Sequence, residues 1–163
     1  MTWEDITLRQ FEELTNKPIK EALLILANDL TLTQFKNTDW SFLNERPQPE
    51  LPKKEYVLNG KTYTPTLDPR KFTVSQYLTF TSSKDTNSKL NAIFNTTDVD
   101  YGDMSIVDVE SLMYFFVMQL QTCIIGTQRY LLQEKKMNQR VKEKLLSQIA
   151  SLNNLVFSCS SNQ

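Results

Sequence analysis

The chain has 163 residues, 40% of them apolar and 23% charged, an ordinary composition for a globular protein long enough to bury one core. A formal net charge of −1 leaves no basic excess for gripping a phosphate backbone, so no specific nucleic acid is expected as a partner. Histidine is absent and the three glycines, Gly60, Gly102 and Gly126, are scattered; imidazole catalysis and His-ligated zinc are excluded, and Gly-rich phosphate loops are disfavoured.

The N-terminal third reads as short helices. Thr7-x-x-Gln10 has the spacing of a capping box, in which a hydroxyl and an amide side chain satisfy the free N–H groups of a first turn. Leu8, Phe11 and Leu14 then share one helical face. Pro18 sits where a first helical position tolerates a missing N–H, and Ile19, Leu23, Leu26 and Leu30 continue as a second stripe, with Ala22 beside it. Leu32 and Phe35 carry the pattern on, and Trp40, Phe42 and Leu43 close it.

Three prolines between Arg46 and Pro52 favour a stiff, extended connector and forbid a helix. After it, Tyr56–Thr81 reads as a hairpin handing into a capped helix. Asn59-Gly60 supplies the positive φ values of a type I′ turn between strands at about Glu55–Leu58 and Lys61–Thr64. Asp68-Pro69 stops the extended segment, and Thr73-x-x-Gln76 opens the next helix, at about Val74–Thr81. A further helix is expected at about Asn87–Asn95. Ser105-x-x-Asp108 resembles another cap, ahead of the most apolar stretch, Ile106 to Ile125, which is nearly without a polar face and is expected to be the central helix. Gly126 is expected to interrupt it.

Val141, Leu145, Ile149, Leu152 and Val156 form an amphipathic stripe. A continuous helix from Ile106 to Phe157 would be a rod of roughly 78 Å at 1.5 Å per residue; a turn near Lys136–Asn138 into a helical hairpin is the favoured alternative, with Ser158–Gln163 frayed. The basic stretch Lys135–Lys144 alternates with Glu134 and Glu143 and reads as a solvated helix face. The expected architecture is therefore mainly α with a small β-hairpin: a single domain, 1–163, built of an N-terminal helical segment (1–45), a Pro-rich connector (46–54), and a hairpin plus helical core (55–163).

Candidate sites have structural alternatives that fit better. Asp98-x-Asp100 with Gly102 and Asp103 suggests calcium, but an EF-hand loop opened at Asp98 needs glycine and glutamate where Asp103 and Val109 stand. Asp5, Glu12 and Glu13 read as helix N-terminal acids complementing the dipole. Cys123 lies within the apolar helix with no neighbouring base and reads as a small core residue. Tyr114, Phe115 and Phe116 read as core aromatics. No catalytic, cofactor-binding or metal residue is therefore assigned, and a non-enzymatic protein is expected.

Cys123 and Cys159 stand far apart behind an acidic start, MTWEDITLRQ, unlike an export signal, and the longest apolar run, Leu112–Met118, falls short of the roughly 18 residues that span a membrane. An intracellular, reducing origin and no membrane partner are expected.

The order of ITLRQFEEL (Ile6–Leu14), YVLNGKTY (Tyr56–Tyr63) and KFTVSQYL (Lys71–Leu78) before an aromatic-rich helix resembles small assembly proteins of tailed bacteriophages, including tail-assembly-chaperone-like proteins of crAss-like and other Bacteroides-type phages. The resemblance covers Ile6 to Leu120. It implies a non-enzymatic virion structural or assembly protein, a head–tail ring (connector) component contacting its own copies and other head or tail proteins, assembled in the host cytoplasm and carried in the virion. Its alternatives are a tail assembly chaperone absent from the mature particle and a small host-directed binding protein. It implies no catalytic residue.

Overall fold

The computed structural model describes residues 1–15, 17–134 and 137–160, with side chains described as far as 151. The protein is mainly α with one small antiparallel hairpin. Seven α-helices occur among the described residues: α1 (Leu8–Leu14), α2 (Ile19–Leu26), α3 (Leu32–Asn37), α4 (Val74–Ser82), α5 (Thr86–Phe94), α6 (Ile106–Gln133) and α7 (Gln139–Ser160). The hairpin strands are β1 (Tyr56–Leu58) and β2 (Lys61–Tyr63), between α3 and α4.

The chain clusters into two units: Met1–Thr64 with Val99–Leu112, and Pro65–Asp98 with Met113–Gln163. The Pro-rich connector lies inside the first unit. It is held there by the Glu50 N–H, which donates to Ser111 Oγ at 2.8 Å.

In the first unit, α1 opens with the expected capping box. Thr7 N–H donates to Gln10 Oε1 at 3.0 Å, and Gln10 N–H donates to Thr7 Oγ1 at 3.3 Å. The same spacing at Thr31 and Gln34 caps α3, so the apolar pattern after Leu26 belongs to a separate helix. Helix α2 buries Ala22 and Leu26 and leaves Ile19 exposed, so its inward face is offset from the stripe that begins at Ile19. Trp3 packs edge-on against Phe11 and Phe42, and its indole N–H donates to Glu45 O at 3.0 Å. An isolated antiparallel bridge pairs Thr7 with Ser105. Around it, Leu8 N–H donates to Met104 O and Ile106 N–H to Ile6 O, both at 2.8 Å. These bonds fix Ile6, Leu8, Tyr101, Met104 and Ile106 in the unit's core.

In the second unit, α4 and α5 pack as a helical pair. Thr73 and Gln76 form the expected box at the start of α4, and the Gln76 amide also donates to Ala92 O at 3.0 Å. Helix α5 ends on Asn95 in the left-handed conformation (φ 53°), which asparagine tolerates better than most residues. Phe116 is fully buried, stacked on Phe72 with ring centroids 4.3 Å apart and met edge-on by Phe80 at 4.6 Å.

Helix α6 runs 28 residues, through Gly126, and does not stop near Ile125. Glycine costs a helix interior only about 1 kcal/mol, which one missing side chain in a long helix can absorb. The rod alternative fails: α6 ends at Gln133 and α7 begins at Gln139. Lys142 Nζ reaches back to donate to Leu132 O at 2.7 Å across ten residues. In a continuous helix those ten residues would rise about 15 Å, more than a lysine side chain spans. The turned-back α7 lies against α4. It stays helical to Ser160, past the expected fraying point. Residues 161–163, and the side chains of Leu152, Val156 and Cys159, lie outside the described residues.

Candidate functional site

The hairpin forms at the expected turn, Asn59 (φ 50°) and Gly60 (φ 73°). Its register pairs Tyr56 with Tyr63, Val57 with Thr62, and Leu58 with Lys61. A two-residue turn makes the pair that flanks it a hydrogen-bonded one, and such pairs alternate along an antiparallel ladder. Tyr56 and Leu58 therefore bond to β2, and the Val57 N–H and C=O point away from it. Neither Val57 group has a partner among the described residues, and its side chain is 73% exposed. The strands also alternate by face: Tyr56 and Leu58 are buried, Val57 is out.

A cavity of about 200 Å³ runs beside β1. One wall is made of the consecutive residues 55–58; the other is made of Asp103, Met104 and Ser105, with Tyr63 and Tyr101 also lining it. Tyr63 and Tyr101 meet edge-to-face at 5.8 Å. Consecutive strand residues point their side chains to opposite faces, so a cavity that touches all four follows the strand's edge.

The expected Ser105–Asp108 cap does not form as a box. Lys53 takes the Asp108 carboxylate, with Nζ–Oδ1 at 2.8 Å and Nζ–Oδ2 at 3.0 Å. Ser105 Oγ is buried in the cavity wall with no hydrogen-bond partner among the described residues. The Tyr56 hydroxyl accepts from the Lys53 N–H at 2.9 Å, and burial pushes its pKa up to about 12, so it stays protonated at any physiological pH.

The acidic loop serves the fold. Arg9 Nη2 pairs with Asp100 at 2.8 Å and stands 3.7 Å from Asp103, while Asp100 Oδ1 accepts the Gly102 N–H at 2.8 Å. A Cβ at Gly102 would lie 2.8 Å from Arg9 Nη2, so glycine there admits the guanidinium. No group of three metal-ligating side chains occurs among the described residues.

The remaining candidates are dispersed. Asp5 caps its own turn by accepting the Thr2 N–H at 2.8 Å, and Glu12 and Glu13 are exposed. Cys123 is half-buried on α6. Of the three aromatics expected in the core only Phe116 is fully inside; Tyr114 is 57% exposed and Phe115 half-buried, because successive helical residues turn by about 100°.

Tyr114 instead joins Met118, Ile125 and Leu132 in an exposed apolar stripe, the four falling within about 40° of one another around α6. Ser111–Gln128 carries no charged residue. By length and composition α6 is long and apolar enough to cross a membrane, a test that core helices also pass. The sequence missed the stripe because exposure is decided by packing. The sequence did point to the open edge, through the Asn59-Gly60 turn.

In comparisons with known proteins, no family model matches the chain, and neither does any curated protein or solved structure.

Proposed function

We propose that the protein is a non-enzymatic structural or assembly protein of a tailed bacteriophage virion, a component of a head–tail ring that acts through contacts with its own copies and with other head or tail proteins. The observation that carries this reading is the open edge of β1. A two-stranded hairpin is marginal in water, and an unpaired N–H and C=O at Val57 are a template for a strand from a neighbour. Contacts of that head-to-tail kind close into rings when the rotation between neighbours closes. The stripe on α6 supplies apolar surface for a further contact. The site's chemistry fits a binding role: its lysine is paired with Asp108, its tyrosine is held protonated, and its serine hydroxyl has no hydrogen-bond partner among the described residues.

The deciding experiment is quantitative mass spectrometry of purified particles, after assembly in the host cytoplasm. A fixed copy number supports the ring subunit. Absence from the particle would replace it with a tail assembly chaperone. Val57→Pro removes the outward N–H, and it should impair assembly while leaving the far-ultraviolet helical signal unchanged. Assembly that survives Val57→Pro would remove the hairpin edge from the mechanism.

A further inference from the structure

We infer that the cavity beside β1 is a receptor for one extended segment of a partner protein, a strand with a β-branched residue opposite Val57 and a lysine or arginine two residues away. The inference deepens the assembly reading and rests on its open edge, though not on ring closure.

The walls set the form of the occupant. On one side are the outward N–H and C=O of Val57; on the other is Asp103–Ser105, already held from behind by the Thr7–Ser105 bridge. A second copy's hairpin would present Val57 or Thr62 at its free edges, and the residues two away from these, Glu55, Asn59, Gly60 and Thr64, include no cation for Glu55, so the occupant is a segment of another protein.

Its side chains follow from the alternation of a strand. On the outward face lie Val57 and Glu55. Val57 favours a β-branched neighbour, and Glu55 has no ion pair among the described residues. The other lining charges are engaged: Asp108 by Lys53, and Asp103 by Arg9 at 3.7 Å. Glu55 is therefore the carboxylate left for an incoming cation. On the inward face the segment meets Tyr63, Tyr101 and Met104, and a small hydroxyl or amide side chain there can bond Ser105 Oγ, the buried group that lacks a partner.

The probe is an N-acetylated, C-amidated pentapeptide, Lys-Thr-Val-Thr-Lys, about 17 Å long when extended. Paired antiparallel to β1, its valine meets Val57, one lysine meets Glu55, and the threonines turn inward. Titrated into the full ¹⁵N-labelled chain, it should shift the amides of residues 55–58 and 103–105 and saturate with a Kd of about 1 mM or tighter. N-methylating the probe's valine, which deletes the bond to the Val57 carbonyl, should weaken binding about tenfold. Glu55→Lys should reverse the preference between this probe and its Glu-Thr-Val-Thr-Glu counterpart, about fivefold in each case. Ser105→Ala should weaken the lysine probe about threefold. No saturable shift at these residues, equal binding of the N-methylated probe, or an unchanged affinity in Ser105→Ala would overturn the assignment. So would an affinity that falls as protein concentration rises, because a second copy would then fill the groove. Particle composition does not enter the measurement, so a chain absent from virions can still bind the probe, and a ring-forming chain can fail to.

Discussion

Replacing Phe116 by alanine should destabilise the second unit by about 4 kcal/mol. The side chain is fully buried, so the loss includes both its transfer free energy and the cavity left behind, together about 3–5 kcal/mol for a buried phenylalanine. Two ring contacts, stacked on Phe72 at 4.3 Å and edge-on to Phe80 at 4.6 Å, keep the change away from the bottom of that range. Aromatic pairs contribute about 0.5–1.5 kcal/mol each beyond their burial, and both partners lose their contact when the central ring goes. For a chain of this size 4 kcal/mol corresponds to a fall of about 8–16 °C in melting temperature. Urea unfolding followed by circular dichroism at 222 nm measures the free energy, and Phe116→Leu, which keeps most of the volume, should lose less than half as much. A loss below about 1 kcal/mol in Phe116→Ala, combined with failed assembly, would refute the reasoning and move Phe116 to a subunit interface.

Gly60→Ala should cost about 1 kcal/mol through backbone strain alone, because φ is +73° and an added Cβ meets no atom within 4 Å; faster amide exchange confined to Tyr56–Tyr63 would register it. Burial holds the Glu110 carboxyl above its ordinary value, with Arg46 pulling weakly the other way. The folded chain therefore binds that proton more tightly than the unfolded one, and stability from this group is present below about pH 4.5 and lost as pH rises through the raised pKa. Glu110→Gln should accordingly melt higher than the parent at pH 7, with the gap closing toward pH 4; a gap independent of pH would contradict it. Ile125→Lys, on the exposed stripe of α6, should leave the melting temperature nearly unchanged and reduce self-association in sedimentation velocity, whereas unchanged sedimentation would remove the stripe from assembly.

The features legible in the sequence are those settled within a few residues. Thr7 with Gln10 and Thr73 with Gln76 close their boxes through atoms three residues apart, and Asn59-Gly60 needs only its own dihedral angles to turn the chain. These choices are made by local sterics and by N–H groups that a first helical turn leaves free, so any compatible fold keeps them. Thr31 and Gln34 carried the same signal, hidden by an apolar stripe that ran past the break. Ser105 and Asp108 had equally good local spacing, yet the box did not form, because Lys53, 55 residues away in the chain, takes the aspartate. The Arg9 guanidinium against Gly102 and the return of Lys142 to Leu132 are of the same kind. Tertiary structure alone decided the cavity beside β1, since its walls at residues 55–58 and 103–105 are distant in the chain and the second is held in place by the bridge between Thr7 and Ser105. A capping residue chooses among the partners within its reach, and only the folded chain determines which distant groups are there to compete.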